Sequence, residues 1–386
     1  MNVLELYSEA AKTAVGFFWK AGWAFVLGYS ISAMIQAFVP KGKLTPYLGK
    51  KNLKSVSLAT LFGAASSSCS FAALATTRSL VMKGANFIAA VSFMFASTNL
   101  VIELGILILI FLGWQFLVAE LIGGLILISI SSVLIIVTYP RKMLSEARDK
   151  LEKESESEET DFDWRKRIGS RSGWNLVGHN FVSDWKMVWE EILIGFTIAG
   201  FVAVFIPPWV WENIFITNTG NVPGWLVAVE NALVAPFVAA ATFIGSMGNI
   251  PLATVLSAEG VLFAGVIAFI YSDLMVPPLV MINAKYYGWK VAIYIAAIMY
   301  VSILTTALLL DTFFGMFGLT PESKREVENV TRFAIDYTFY MNVAAIVNED
   351  GDTHEHGDGG LSVKRLIVLF IAAVLLIGIV VFFIKE

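Results

Sequence analysis

One cysteine, three histidines and few charges are all that this 386-residue chain offers to most kinds of chemistry. The single Cys69 excludes an intrachain disulfide framework. It also excludes a multi-thiolate metal site within one chain. No histidine stands near it in the sequence, which leaves an intramembrane enzyme built on that thiol with little support. The chain has no Walker pattern to cradle a phosphate, so it is not expected to hydrolyse ATP by itself. His354-Glu355-His356 offer too few ligands for a metal centre, and neither a metal nor another cofactor is expected. The sequence therefore reads as a non-enzyme with no nucleic-acid partner. Charged residues make up 15% of the chain and hydrophobic ones 57%, with a mean hydropathy of +0.73. A soluble domain of this length carries far more charge.

Long apolar runs are what the chain has instead. A helix crosses a bilayer with roughly 20 apolar residues. Runs of that order are expected at Thr13–Val39, Ser55–Val81, Asn86–Leu112 and Gln115–Tyr139 in the first half. The second half repeats the series at Val188–Ile206, Leu226–Ser257, Val261–Asn283 and Trp289–Leu310. The reading is an all-α, multi-pass cell-membrane protein, its apolar surface in contact with the lipid bilayer. The first run lacks a basic n-region and a cleavage site, so it reads as a retained helix and not a signal peptide. The expected organisation is a first membrane repeat at 1–140 and a charged cytoplasmic linker at 141–186. A second membrane repeat follows at 187–310, then an acidic, amphipathic extramembrane segment at 311–360 and a last transmembrane helix at 361–386. Within 311–360, an interfacial helix is expected at 329–346, since Arg332, Asp336 and Asn342 interrupt its apolar face.

Positive loops face the cytoplasm. Lys41, Lys43, Lys50, Lys51 and Lys54, and the basic residues from Arg141 to Arg171, place two loops inside. Three apolar runs lie between those loops, yet an even number of crossings is required. One run must therefore enter and leave on the same side. The same logic holds in the second half, where Pro207–Val234 has no Lys or Arg and Lys285 and Lys290 mark the next inner loop. The result is two units of one plan, each with a re-entrant broken helix, in inverted topology. Secondary transporters recur to this plan. Trp209, Trp211 and Trp225, with Tyr286, Tyr287 and Trp289, read as interfacial belts.

The two re-entrant runs carry matching polar breaks. Ser66-Ser67-Ser68-Cys69-Ser70 interrupts the first and Thr242-Phe243-Ile244-Gly245-Ser246-Met247-Gly248-Asn249-Ile250-Pro251 the second. Ser68 and Ser246 are 178 residues apart (246 − 68 = 178), an offset that also pairs Cys69 with Met247. Thr98-Asn99-Leu100-Val101 echoes Ser272-Asp273-Leu274-Met275 at an offset of 174 (273 − 99 = 174). Lipid cannot satisfy freed backbone groups, so such breaks persist where they line a cavity or are buried in protein. Ser67, Ser68, Cys69 and Ser70, with Ser246, Met247, Gly248 and Asn249, are the candidate substrate-binding residues. Helix N-termini beside the breaks suit an anionic or strongly polar group. Cys69 and Met247 would add soft sulfur for a soft metal or metalloid. Small residues are also the ordinary material of tight helix contacts in membranes, and a lone Cys or Met is most often packing.

Intramembrane carboxyls mark partners, cavities or proton paths. Asp273, just before Pro277-Pro278, is the first candidate to carry a coupling proton. Glu103 is the second, and Asn99 is the counterpart of Asp273 in the first half. Glu120 and Glu259 read more simply as structural or membrane-surface carboxyls. The expected activity is secondary transport of a small solute, with a channel-like pore for a small polar or anionic species as the alternative.

At its breaks the chain resembles the ArsP-type predicted permeases, clearest at Gly245-Ser246-Met247-Gly248-Asn249-Ile250-Pro251-Leu252-Ala253. Ile335-Asp336-Tyr337-Thr338-Phe339 is similar to the later part of that family. The resemblance implies efflux, with trivalent organoarsenicals as the substrate class, arsenical resistance as the phenotype and the cell inner membrane as the site. The family's first break often reads Cys-Ser-Cys-Gly with a later Pro. Here Ser67, Ser68, Cys69, Ser70 and Ala73 stand in those places, so one cysteine of the pair is missing.

Overall fold

A computed structural model describes residues 3–38, 48–49, 52–66, 70–138, 168–217, 222–321, 327, 331, 338–342 and 373–379. Among them the ordered elements are helices, with no strand. Among the described residues five helices are long and apolar enough to cross a bilayer, or up to seven if each of two bent pairs is one span. The chain is a multi-pass membrane protein.

The same succession of elements occurs in both halves. The first has a long helix α1 (Val3–Phe38), then a broken pair α2 (Leu53–Ser66) and α3 (Ser70–Met82). A bent pair, α4 (Phe87–Asn99) and α5 (Ile102–Phe111), and a long α6 (Trp114–Thr138) complete it. The second has the long α7 (Arg171–Phe205), a short α8 (Pro208–Ile214), then the broken pair α9 (Gly224–Thr242) and α10 (Ser246–Ala258). Its bent pair is α11 (Phe263–Ile270), continued by a 3₁₀ turn at Tyr271–Met275, and α12 (Pro277–Tyr287); the long α13 (Trp289–Met316) follows. Both bent pairs bend by 41°. The left-handed glycines Gly84 and Gly260 stand at the same point of each half.

The helix starts give a spacing different from that of the sequence strings. Ser70 and Ser246 open α3 and α10, and Phe87 and Phe263 open α4 and α11. Both pairs are 176 residues apart (246 − 70 and 263 − 87). Helix starts in the two halves are thus spaced 176 residues apart, against the 178 and 174 at which the sequence strings match. Short Ser/Ala-rich strings align in several registers with similar quality, whereas helix starts are fixed by geometry.

Helix ends also differ from the apolar runs. α1 starts at Val3 and α7 at Arg171, well before the runs at Thr13 and Val188. A helix satisfies its backbone internally, so it extends beyond the bilayer once its polar side chains reach water. Ser170 fixes the start of α7, its hydroxyl accepting from the Gly173 N–H at 3.0 Å. The second bend has an evident cause: Pro277 and Pro278 open α12 and hold Val276 extended (φ −61°, ψ 139°). The first bend, at Leu100–Val101, has no such residue; Val101 is extended without a side-chain cap.

Packing repeats as the elements do. α2 and α3 pack on α4 as α9 and α10 pack on α11, and α4 packs on α6 as α11 packs on α13. Across the halves α1 packs on α7 and α6 on α13, while α3 touches α12 and α10 touches α5. One buried core draws on both halves, and Phe17, Phe111 and Phe196 lock α1, α5 and α7 together edge to face. The aromatic belts are only partly at the surface. Trp209, Trp225 and Trp289 are exposed, but Trp211 and Tyr287 are buried. Most of 329–346 lies outside the described residues. Asn342, however, is buried beside the middle of α1, donating to the Trp19 carbonyl (2.7 Å) and accepting from the Trp23 N–H (2.8 Å). His354, His356 and most of the linker 141–186 also lie outside the described residues.

Candidate functional site

The second break is shaped by its own sequence. α9 ends at Thr242, and Phe243 turns the chain in a left-handed conformation (φ 56°, ψ 17°). A side chain there crowds its own carbonyl, at a cost of about 1–2 kcal/mol. The Thr242 hydroxyl accepts from the Ile244 N–H (3.3 Å) and lies 3.5 Å from the Asn249 amide oxygen. Asn249 is fully buried, and its amide nitrogen has no partner among the described residues. Ser246 is buried as the first residue of α10. Pro251 has no N–H, so the α-helical bond to the Met247 carbonyl is not made. Met247 itself is a partly buried packing residue.

α7 seats this break. Gly195 faces Gly248 so closely that a Cβ at 195 would stand 2.6 Å from the Gly248 Cα. Gly248 is thus a helix-contact residue, of the kind that small side chains allow in membranes. A Cβ at Gly245 would stand 2.8 Å from Oε2 of Glu191, so a carboxylate on α7 borders the N-terminal end of α10. That end carries partial positive charge.

Ser67, Ser68 and Cys69 of the first break lie outside the described residues. Ser70, at the start of α3, is buried and donates to Oδ2 of Asp273 at 2.9 Å. A hydroxyl at the break of one half thus meets a carboxyl at the bend of the other. Asp273 is wholly buried on the 3₁₀ turn, and its Oδ1 has no partner among the described residues. Asn99 and Glu103 are buried too. The Asn99 amide donates within α4, to the Phe95 carbonyl (3.0 Å) and the Thr98 hydroxyl (3.1 Å). The Glu103 stem lies against Gly28 of α1. These two candidates sit on the first bend, against different neighbours from Asp273.

Glu120 of α6 is buried in the fold, with a residue exposure of 1%, as is Asp273 on the 3₁₀ turn. Tyr271 ties the two elements, its hydroxyl lying 3.0 Å from the Glu120 carbonyl and 3.2 Å from that of Ala119. Gly123 leaves room for that ring, since a Cβ there would stand 2.4 Å from the tyrosine oxygen. The lone carboxyl in an apolar 25-residue helix was the available signal for Glu120; nothing in the sequence pointed to Tyr271 or Glu191. Glu259 lies in the turn after α10. Burial raises its carboxyl above the ordinary value, and the charge of Glu212 on α8 adds to this.

A cavity of about 490 Å³ opens beside the first turn of α6. Leu112, Gln115 and Phe116 form one wall, Thr254 and Ser257 of α10 another, and Gly318, Thr320 and Pro321 a third. Among the described residues no group of His, Cys, Asp and Glu is arranged to hold a metal ion. What the arrangement offers is a set of dehydrated hydroxyl, amide and carboxyl groups between two halves of one plan. Such groups can bind a small polar solute and exchange a proton.

A family model described as "Predicted permease" (ArsP_1) matches residues 7–312. The protein named "Putative permease Rv2963" of Mycobacterium tuberculosis (strain ATCC 25618 / H37Rv) is 36% identical over 322 residues, 80% of this chain and 78% of that protein. No solved structure matches the chain.

Proposed function

The chain belongs to the ArsP_1 predicted permease family, and on that premise we propose that it is a secondary transporter exporting a small solute. The observation that carries this reading is the Ser70–Asp273 hydrogen bond. It joins a break in one half to a bend in the other, within a fold whose two halves share one order of elements. Substrate would sit between the two breaks, with Ser67, Ser68, Cys69 and Ser70 on one side and Ser246, Met247 and Asn249 on the other. Loop charges orient the halves oppositely, so both breaks read as re-entrant and entering from opposite faces. Rocking of one half against the other would alternate access, and Asp273 would couple a proton to the movement. Trivalent organoarsenicals or related metalloids are the leading substrate class, with Cys69 and Met247 as soft ligands.

Two measurements test this. Expression in a sensitive host is expected to raise resistance to trivalent organoarsenicals. Purified protein in liposomes is expected to give saturable flux that responds to a pH gradient; fast, unsaturable conductance would identify a pore instead. If Cys69→Ser and Met247→Leu both transport at the parent rate, the sulfur ligands have no role in binding.

A further inference from the structure

The cavity of about 490 Å³ has no part in the transport path proposed above, yet its walls tie it to the second break. They come from three places far apart in the chain: the α5–α6 turn, the last turns of α10 and the segment just after α13. Under the orientation that the loop charges give, all three stand at the outer face. Of these walls, α10 is the one that continues inward to a break.

The two sides of α10 meet different neighbours. Gly248 faces α7, where Gly195 lies against it. At about 100° per residue, Ser246, Ile250 and Ser257 point the opposite way, and Thr254 stands close beside them. Thr254 and Ser257 line the cavity, and Ser246 opens the helix at the break. Ser246 and Thr254 are eight residues apart (254 − 246), or about 12 Å along the helix. Between those two levels this side carries Ile250 and Ala253, both with 0% exposure. α5, whose last residue Phe111 is also a cavity wall, packs on α10. A buried branched side chain thus separates break from cavity, and apolar constrictions of this kind gate by excluding water.

We propose that the cavity is the outer vestibule of the path and that Ile250 is the seal between it and the second break. The lining sets what the vestibule takes. The Thr254 hydroxyl donates to the Ile250 carbonyl (3.0 Å), so its oxygen is left to accept from a solute. Ser257 adds a second hydroxyl and Gln115 an amide, while Phe111 and Phe116 supply apolar rings. A small solute with one hydrogen-bonding group and one apolar group fits that mixture. The idea rests on the reading of the chain as a transporter, but the route itself can be measured without substrate.

The experiment places Ser246→Cys in the full chain, in right-side-out membrane vesicles, and follows its labelling by a membrane-impermeant methanethiosulfonate. The same backgrounds without Ser246→Cys give the contribution of Cys69, which is subtracted. Adding Ile250→Ala is expected to speed labelling severalfold, and adding Ser257→Trp, which fills the vestibule, to slow it. Val255→Ala is the control: Val255 is equally buried but on the side of α10 that faces α7, and the rate is expected to stay unchanged. A variant that merely loosens the fold would also label faster, so Ile250→Ala is combined with Ser257→Trp; the plug is expected to cancel the gain when entry is through the vestibule. Equal rates in all backgrounds, equal gains from Ile250→Ala and Val255→Ala, or a gain that the plug does not reduce would each overturn the proposal. Liposome flux of trivalent organoarsenicals separates the two levels. Labelling that responds as expected, with no saturable flux, would uphold the vestibule and overturn the transporter reading; saturable flux with labelling indifferent to Ile250 and Ser257 would do the reverse.

Discussion

Gly195→Ala tests how α7 seats the second break. An alanine Cβ at 195 would stand 2.6 Å from the Gly248 Cα, 3.0 Å from Ile244 Cγ2 and 3.2 Å from the Gly248 carbonyl carbon. Ordinary contact begins at 3.4 Å, so the two backbones must part by about 0.8 Å (3.4 − 2.6). A rotamer change can free Ile244 but not a backbone atom. Overpacking of this kind costs about 1–3 kcal/mol. Alanine gains about 1 kcal/mol over glycine inside a helix. The clash is the larger effect, and net destabilisation of roughly 1 kcal/mol is expected. Gly178 supplies the internal control, because it lies on the same helix and a Cβ there would meet nothing within 4 Å. Gly178→Ala has the propensity gain alone. Thermal unfolding of the purified protein in detergent reads both. Gly178→Ala is expected to raise the Tm and Gly195→Ala to lower it. Equal rises in the two variants would refute the close seating of α10 on α7.

Two further outcomes follow from particular residues. Phe243→Gly removes a left-handed side chain that is 63% exposed. It relieves about 1–2 kcal/mol of strain against about 0.4–1 kcal/mol of added unfolded-state freedom, so the Tm is expected to rise slightly; a fall would mean that the Phe243 ring holds the break in place. Glu259→Gln removes a carboxyl whose ionised form is disfavoured in the fold by burial and by Glu212. A raised folded value means the penalty is full at neutral pH and absent once the acid is protonated in both states, below its ordinary 4.5. The variant is expected to melt higher than the parent at neutral pH and equally at pH about 4; a pH-independent difference would point to packing instead.

Parts of the site were legible in the chain and parts were not. Asp273 was, because a carboxyl before Pro277-Pro278 in an apolar run is costly and visible. So were the breaks at Ser66–Ser70 and Thr242–Gly245, as polar small-residue strings where lipid offers no hydrogen bonds. The pairing of Cys69 with Met247 was not fixed by the chain, because similar small residues match at several offsets. For Glu120 the sequence shows a lone carboxyl but not what stands beside it. Gly195, Glu191 and Tyr271 gave no signal at all; their roles consist of distances to another helix.

The sequence by itself determined that the chain is helical and crosses the membrane several times, since a bilayer accepts only apolar stretches of fixed length with internally satisfied backbones. Only the tertiary structure decided where the helices start and the meeting of Ser70 with Asp273. The physical reason is that hydropathy and helix breaks are local properties, written within a few turns of chain. A buried polar contact between halves depends on helix crossing distances, and those are set by which small residues face each other across the fold.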